Sequence, residues 1–247
     1  MKYVDVVIDN KSEYMDSFFT YLAPDYINVG DKVSIPLARK PKGAEGYVVS
    51  LDTVPGIEAD KVKEIISIDK DRSLTPEIID TAIWMKSRYG VKYIDAIRMF
   101  DVTGKRVPKQ LKAYDETKLE DEPILSEEQK NAVLDICNSI DNQLGKSFLI
   151  HGVTNSGKTE VYIRAAKSAI IIDEEHESTY KSDHNPKFET VDVAFRRSKY
   201  HNATLVLGSA TPSIVSYNRA MDGIYQLIEM KNRIGNSIMP EVQILDM

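Results

Sequence analysis

Gly152-Val153-Thr154-Asn155-Ser156-Gly157-Lys158-Thr159 follows the spacing G-x-x-x-x-G-K-[ST], the pattern of a phosphate-cradling P-loop. Each residue type has a physical reason. Glycines let successive backbone N–H groups curl around phosphate oxygens without a Cβ in the way. A helix that begins at the loop adds the positive end of its dipole. Lys158 offers a cation to the β- and γ-phosphates and Thr159 a hydroxyl to Mg²⁺. The flanks agree: residues 147–151 read as a buried strand, and residues 160–166 contain no helix breaker.

A second acidic element follows. Ala169-Ile170-Ile171-Ile172-Asp173-Glu174-Glu175-His176 is an apolar strand that ends in carboxylates. An Asp at such a strand end can hold Mg²⁺, and the next Glu can polarise an attacking water. A third strand is predicted over 204–207, and it runs into Gly208-Ser209-Ala210-Thr211-Pro212-Ser213. In open α/β sheets, ligands collect at the carboxyl ends of the strands. The motifs therefore predict a nucleotide and Mg²⁺ as cofactors.

The elements around these motifs divide the chain. Residues 3–8, 31–36, 46–51 and 63–68 read as short strands, at a spacing typical of a small barrel or curled sheet. Between the second and third lies the basic turn Arg39-Lys40-Pro41-Lys42-Gly43, either a solvated tip or a phosphate contact. Leu74-Thr75-Pro76-Glu77 predicts a helix with a Thr N-cap and Pro at its first position. A short helix is expected over 94–100. Residues 105–124 lack apolar periodicity and are read as a linker. Ser126-Glu127-Glu128-Gln129 is a capping box that opens the next helix, with Cys137 expected as a core thiol within it. Trp84 and Tyr89 are likewise expected in the core.

Composition sets the outer limits. The chain has 247 residues, 42% hydrophobic and 28% charged, with a net charge of −6. Residues 1–110 carry 17 Lys+Arg against 17 Asp+Glu, whereas residues 111–247 carry 15 against 21. A globally basic nucleic-acid binder is excluded, but a local basic patch is not. No apolar run approaches the ~20 residues of a membrane span, so no membrane partner is expected. A single cysteine excludes a disulfide framework or a multi-cysteine zinc site. Zinc is not expected, and a cytoplasmic setting is.

The three motifs together resemble those of superfamily 2 helicases, and most closely the primosomal replication-restart helicases. That family pairs G-V-T-G-S-G-K-T-E with D-E-E-H and G-S-A-T-P-S, which stand here as residues 152–160, 173–176 and 208–213. The N-terminal part resembles the family's 3′-DNA-end-binding domain, through Phe19-Thr20-Tyr21-Leu22-Ala23-Pro24, Val29-Gly30, Val33-Ser34-Ile35-Pro36, Gly46-Tyr47-Val48-Val49 and Lys63. The resemblance implies a β-barrel-like domain with helices over 1–104. After the 105–124 linker, it implies a shortened RecA-like α/β lobe with an incomplete parallel sheet over 125–247. It implies ATP-dependent DNA translocation, with Gln129 near the adenine, Lys158 and Thr159 on phosphate and Mg²⁺, Asp173 on Mg²⁺ and Glu174 as catalytic base. His176, Ser209 and Thr211 would couple the nucleotide to DNA. Phe19, Thr20, Ala38, Arg39, Lys40 and Lys63 would contact DNA, forked or single-stranded. Primosome and single-strand-binding proteins would be partners.

The sequence departs from the family at several points. Asn155 replaces the middle loop glycine, Thr20 stands where Asp is common, and Ala38 where Gly is common. Asp173 stands only 15 positions after Lys158; a parallel crossover needs a dozen or more residues. The linker is too short for the family's winged-helix domain, and the chain ends near the close of a first motor lobe. The expectation is a shortened chain that binds ATP weakly and hydrolyses it poorly. The alternative is a DNA-binding fragment with a hydrolysis-deficient nucleotide site. An unrelated P-loop kinase or GTPase is disfavoured, because no guanine-reading N-K-x-D element is present.

Overall fold

The computed structural model describes residues 1–10, 12–37, 40–101, 124–166 and 169–234, with the side chains of residues 40–42 outside the description. The chain divides into two compact units, one built on an antiparallel sheet and one on a parallel sheet. The 105–124 linker falls almost wholly outside the described residues, as do Ala38 and Arg39.

The first unit contains β1 (Lys2–Ile8), β2 (Phe18–Ala23), β3 (Lys32–Leu37), β4 (Lys40–Leu51) and β5 (Ser67–Asp69). Their order in the sheet is β2-β1-β4-β3-β5. The β1–β2 hairpin pairs Asp5 with Thr20 and Val6 with Phe19. Just before β5, Leu22 exchanges backbone bonds with residues on either side of Glu64: its N–H donates to Lys63 at 2.9 Å and its carbonyl accepts from Ile65 at 3.0 Å. The segment that pairs with β3 on one side thus meets β2 on the other, and the sheet closes on itself. Closure removes the free edges that an open sheet would expose. Val4, Val6, Ile8, Tyr21, Ala23, Val33, Ile35 and Val48 fill the interior. They come from alternate positions along the strands, as the two-residue period of a strand requires.

Two helices complete this unit. α1 (Pro76–Tyr89) begins where the sequence predicts, with Thr75 Oγ1 accepting from the N–H of Ile78 and Pro76 at the first turn. Its buried face is Ile79, Ala82 and Met85. Trp84 and Tyr89, expected in the core, are only half-buried and pack edge to face with centroids 5.8 Å apart. α2 (Tyr93–Arg98) buries Ile94 and Ile97.

The second unit contains α3 (Glu127–Asp141), β6 (Ser147–Gly152), α4 (Lys158–Ala165), β7 (Ala169–Ile172), α5 (Thr190–Tyr200), β8 (Thr204–Ser209), α6 (Ile214–Met221) and β9 (Gln226–Met230). All three strand pairings are parallel, in the order β7-β8-β6-β9. The strands are apolar on both faces, as a sheet covered by helices on both sides demands. β8 is buried along its whole length. Phe148, Ile150 and Val206 pack with Val161, Tyr162 and Ile136 in one cluster. Leu149, Leu205 and Leu207 pack with Val191, Ala194 and Tyr225 in another. The capping box of α3 is complete: Ser126 Oγ accepts from Gln129 N–H, and Gln129 Oε1 accepts from Ser126 N–H at 2.8 Å. Cys137, expected in the core, is only half-buried.

Candidate functional site

Parallel strands send all their carboxyl ends to one edge of the sheet. The loop after β6, the acids after β7 and the Ser-Ala-Thr-Pro-Ser run after β8 therefore emerge together. The register makes this concrete: Ile172 lies beside Leu207, Leu207 beside Leu149, and Ser209 beside His151. β8 lies between the other two strands, so the acidic end is two strand spacings from the glycine loop, about 10 Å.

The loop has the backbone the sequence calls for. Asn155 and Gly157 both take left-handed angles, φ 65° and 78°. Asn adopts this region more readily than most residues, which explains how it can stand at a glycine position. At Gly157 the left-handed φ favours Gly, and a Cβ there would push aside the ends of the Gln129 and Ile234 side chains, 2.2 Å away. Lys158 opens α4, is 9% exposed, and donates from Nζ to the Gly152 carbonyl at 2.7 Å. Ser156 Oγ is buried with no hydrogen-bond partner. Val153 is half-buried, while Thr154, Asn155 and Thr159 are exposed. Gln129 Nε2 donates to the Gly157 carbonyl at 3.1 Å, so this side chain ties the start of α3 to the loop. Beside it lies an open pocket lined by Leu125, Glu128, Gln129, Asn232 and Arg233.

The acids after β7 are held by two tyrosines, of which sequence reasoning did not single out Tyr162. Tyr162, one turn beyond Lys158 on α4, donates from Oη to Asp173 Oδ1 at 3.0 Å. That oxygen also accepts from the N–H of Glu174 at 3.0 Å. Tyr180 Oη donates to the Asp173 carbonyl at 2.9 Å. Burial first, and then the Asp173 charge, push the Tyr162 phenol far above its ordinary value, so it stays a donor. Glu174 has φ 48°, which turns the chain so that successive carboxylates part. Glu174 is half-buried, and its carboxylate lies 3.6 Å from His176 Nδ1. Glu175 is buried and faces the start of α6 instead.

His176, Ser209 and Thr211, predicted as a group, do come together. Ser209 Oγ lies 2.8 Å from His176 Nδ1, and Thr211 Oγ1 lies 3.3 Å from Nε2. Ser209 Oγ also accepts from the N–H of Thr211 at 2.9 Å. The helical period could have revealed Tyr162, which shares a face with Lys158 four residues earlier. The D-E-E-H pattern points to Glu174 rather than Glu175, whereas the positive φ that turns the two carboxylates apart is a tertiary outcome.

The closed-sheet unit carries a second candidate site. Phe18, Phe19, Thr20, Tyr21, Leu37, Lys61 and Lys63 line a cavity of about 420 Å³. Phe19, Thr20 and Lys63 were predicted together and lie together. Thr20 Oγ1 is already committed, donating to Asp5 Oδ1 at 2.8 Å. Lys63 is exposed, and so is Lys61, which pairs with Glu58 at 2.6 Å. The Lys40 side chain lies outside the described residues. Among the described residues, no helix is long and apolar enough to cross a membrane.

Comparison with known proteins finds similarity in both units of the chain. The family model described as the PriA 3′ DNA-binding domain (3′BD) matches residues 5–100. Replication restart protein PriA of Bacillus subtilis is 31% identical over 218 residues, covering 58% of the chain and 27% of the relative. Replication restart protein PriA of Rickettsia felis is 28% identical over 309 residues, covering 92% of the chain and 46% of the relative. The PriA of Chlamydia muridarum is 47% identical over 79 residues, 32% of the chain and 10% of the relative. The chain thus spans less than half the length of the curated relatives it matches. The Rickettsia alignment is longer than the 247 residues of the chain itself, so the relative carries internal segments that this chain does not. The chain is thus similar to replication restart proteins PriA along most of its length, and residues 5–100 match the 3′ DNA-binding domain of that family.

Proposed function

We propose that the chain forms the DNA-end-binding and nucleotide-binding parts of an ATP-dependent DNA helicase of replication restart, with a RecA-like lobe over residues 125–247. The observation that carries this reading is the meeting of three motifs at one carboxyl edge. Tyr162 joins the P-loop helix to Asp173, and His176 joins the acidic turn to Ser209 and Thr211. The residues suit a magnesium nucleotide. Ser156 Oγ is a buried hydroxyl without a partner, and at Gly152 a Cβ would lie 2.6 Å from it and 3.3 Å from Lys158 Cγ.

In this reading the loop amides of residues 153–158 and the Lys158 ammonium bind the phosphates. Thr159 and Asp173 hold Mg²⁺, which when bound neutralises charge on the transferred phosphoryl group. Glu174 takes the proton of the attacking water on its carboxylate. His176 reports the state of that turn to Ser209 and Thr211. In the first unit, Phe19 offers a ring face to a terminal base and Lys63 a cation to its phosphate. The biological partners in this reading are forked or single-stranded DNA and, around it, primosome and single-strand-binding proteins.

Calorimetry with Mg-ATP on the wild-type chain and on Lys158→Ala tests the nucleotide site. Heat from the wild type that disappears in the variant, with fork-DNA binding intact, supports the reading. Absence of heat from the wild type overturns it. A second reading, a DNA-binding fragment that does not turn over ATP, is favoured by the 15-residue interval between Lys158 and Asp173. DNA-stimulated phosphate release by the purified chain would exclude that second reading.

A further inference from the structure

We propose that Tyr162 is a positioning residue whose hydroxyl aims the Asp173 carboxylate at a divalent cation. This rests on the nucleotide site proposed above. Both donors to that carboxylate, Tyr162 Oη and Glu174 N–H, fall on Oδ1 at 3.0 Å. Among the described residues none donates to Oδ2, and Asp173 is exposed. One oxygen anchors the group and the other keeps its lone pairs for a ligand. Tyr180 fixes the same residue through its carbonyl, so both ends of Asp173 are held by tyrosines from different elements. Outer hydrogen bonds of this kind orient a metal-binding carboxylate and tune its affinity.

The surrounding packing is shaped to let the hydroxyl through. Tyr162 is 7% exposed and its ring belongs to the apolar cluster with Ile136, Val161 and Val206. A phenylalanine would fill that volume equally well, so packing alone does not require the hydroxyl. A buried hydroxyl without a partner is costly, and the partner here is Asp173. On β8, a Cβ at Gly208 would come within 1.6 Å of Tyr162 Oη and 3.3 Å of Asp173 Oδ1. Gly208 is therefore the gap through which α4 reaches the end of β7.

The test is Tyr162→Phe in the 247-residue chain, with a ribose-labelled fluorescent ATP as the probe. Binding is followed against Mg²⁺ and, separately, in EDTA. The Mg²⁺ midpoint is expected to rise about 10- to 100-fold, the usual consequence of losing an outer-shell partner. Affinity in EDTA should be unchanged. Gly208→Ala, which displaces the hydroxyl but keeps it, should move the Mg²⁺ midpoint in the same direction. An unchanged midpoint in Tyr162→Phe, while the wild type shows Mg²⁺-dependent binding, overturns the role of Tyr162 and leaves the nucleotide site standing. An equal loss of affinity with and without Mg²⁺ marks a purely structural hydroxyl and also overturns it. A wild-type chain that binds no labelled ATP removes the nucleotide site itself, and this proposal with it.

Discussion

Glu175 Oε1 accepts a hydrogen bond from the backbone N–H of Ser213 at 2.6 Å, joining the turn after β7 to the first turn of α6. The other oxygen accepts from Ser213 Oγ at 3.1 Å and Ser216 Oγ at 2.8 Å. The carboxylate is 4% exposed as a residue and faces only donors. A negative charge at a helix N-terminus also meets the positive end of the helix dipole. Glu175→Gln places an amide N–H₂ against donors and removes the charge. It should destabilise the parallel-sheet unit by about 1.5–3 kcal/mol, the range for hydrogen bonds to a charged group, as read by urea denaturation. Glu174→Gln, at a partly exposed position, should change stability far less. Equal losses from the two would refute this division of labour.

The Ser209 hydroxyl makes a parallel argument. It meets His176 Nδ1 at 2.8 Å and accepts from Thr211 N–H at 2.9 Å, in a residue that is fully buried. Ser209→Ala leaves both partners short of a bond at the mouth of the site. The expected loss is about 1–3 kcal/mol, the cost of an unsatisfied buried polar group. Hydrogen exchange at the Thr211 amide should accelerate in the same variant, and an amide that stays as protected as in the wild type would contradict the assignment.

Local signals carried much of this molecule and tertiary ones did not. The Gly152–Thr159 loop is legible because every function in it belongs to backbone that its own residues control. Thr75-Pro76 and Ser126–Gln129 mark helix starts for the same reason. β2 (Phe18–Ala23) went unread as a strand, since Phe18-Phe19-Thr20-Tyr21-Leu22-Ala23 lacks polar alternation. Residues 63–68 were expected to form one strand. They instead form a bridge to β2 followed by the short β5, because the chain must turn there to close the sheet. Trp84, Tyr89 and Cys137 sit at helical spacing that suggests a core face, but neighbouring positions take up the burial. Tyr162 and Tyr180 reach Asp173 from opposite sides of it in the sequence, a meeting that the fold sets and no local pattern announces.

Acid should unfold the closed-sheet unit through two particular carboxylates. Burial alone would raise Asp31. The Lys70 ammonium, the Asn28 N–H at 2.8 Å and the Ser73 hydroxyl at 2.9 Å outweigh it and hold the group below its ordinary 3.8. Burial would likewise raise Asp101, and the Tyr47 hydroxyl, the buried Lys32 and Arg72 at 2.9 Å hold it below the same value. A depressed folded pKa means that the unfolded chain binds more protons in this range. Stability is therefore complete above the ordinary value and is lost as pH falls through the folded ones. The urea midpoint should be level from about pH 6 to pH 8 and drop below about pH 4. Asp101→Asn should flatten part of that drop. It should also lower the neutral-pH midpoint, because Lys32, 3% exposed, then keeps Glu45 alone as a charged partner among the described residues. A pH profile identical to the wild type would show that Asp101 is not one of the two groups.

The cavity beside Phe19 makes a prediction that separates its three expected residues. Thr20 is a wall rather than a contact, because its hydroxyl is spent on Asp5, which also receives Ser50 Oγ at 3.1 Å. Thr20→Ala should thus leave the affinity for a DNA with a free 3′ end nearly unchanged. Lys63 is exposed with its charge toward solvent, so Lys63→Ala should weaken binding of all sequences alike. It should also reduce the slope of log affinity against log salt by about one unit, as for a single lost phosphate contact. Phe19 presents an aromatic ring at the same cavity. Phe19→Leu, which keeps the apolar packing against the sheet interior, should cost about 1–3 kcal/mol of binding, the worth of one stacked base, with the salt slope unchanged. Fluorescence anisotropy with a labelled single strand across a salt series reads all three variants. A slope change in Phe19→Leu, or none in Lys63→Ala, would assign the base and phosphate contacts the other way round or to another surface.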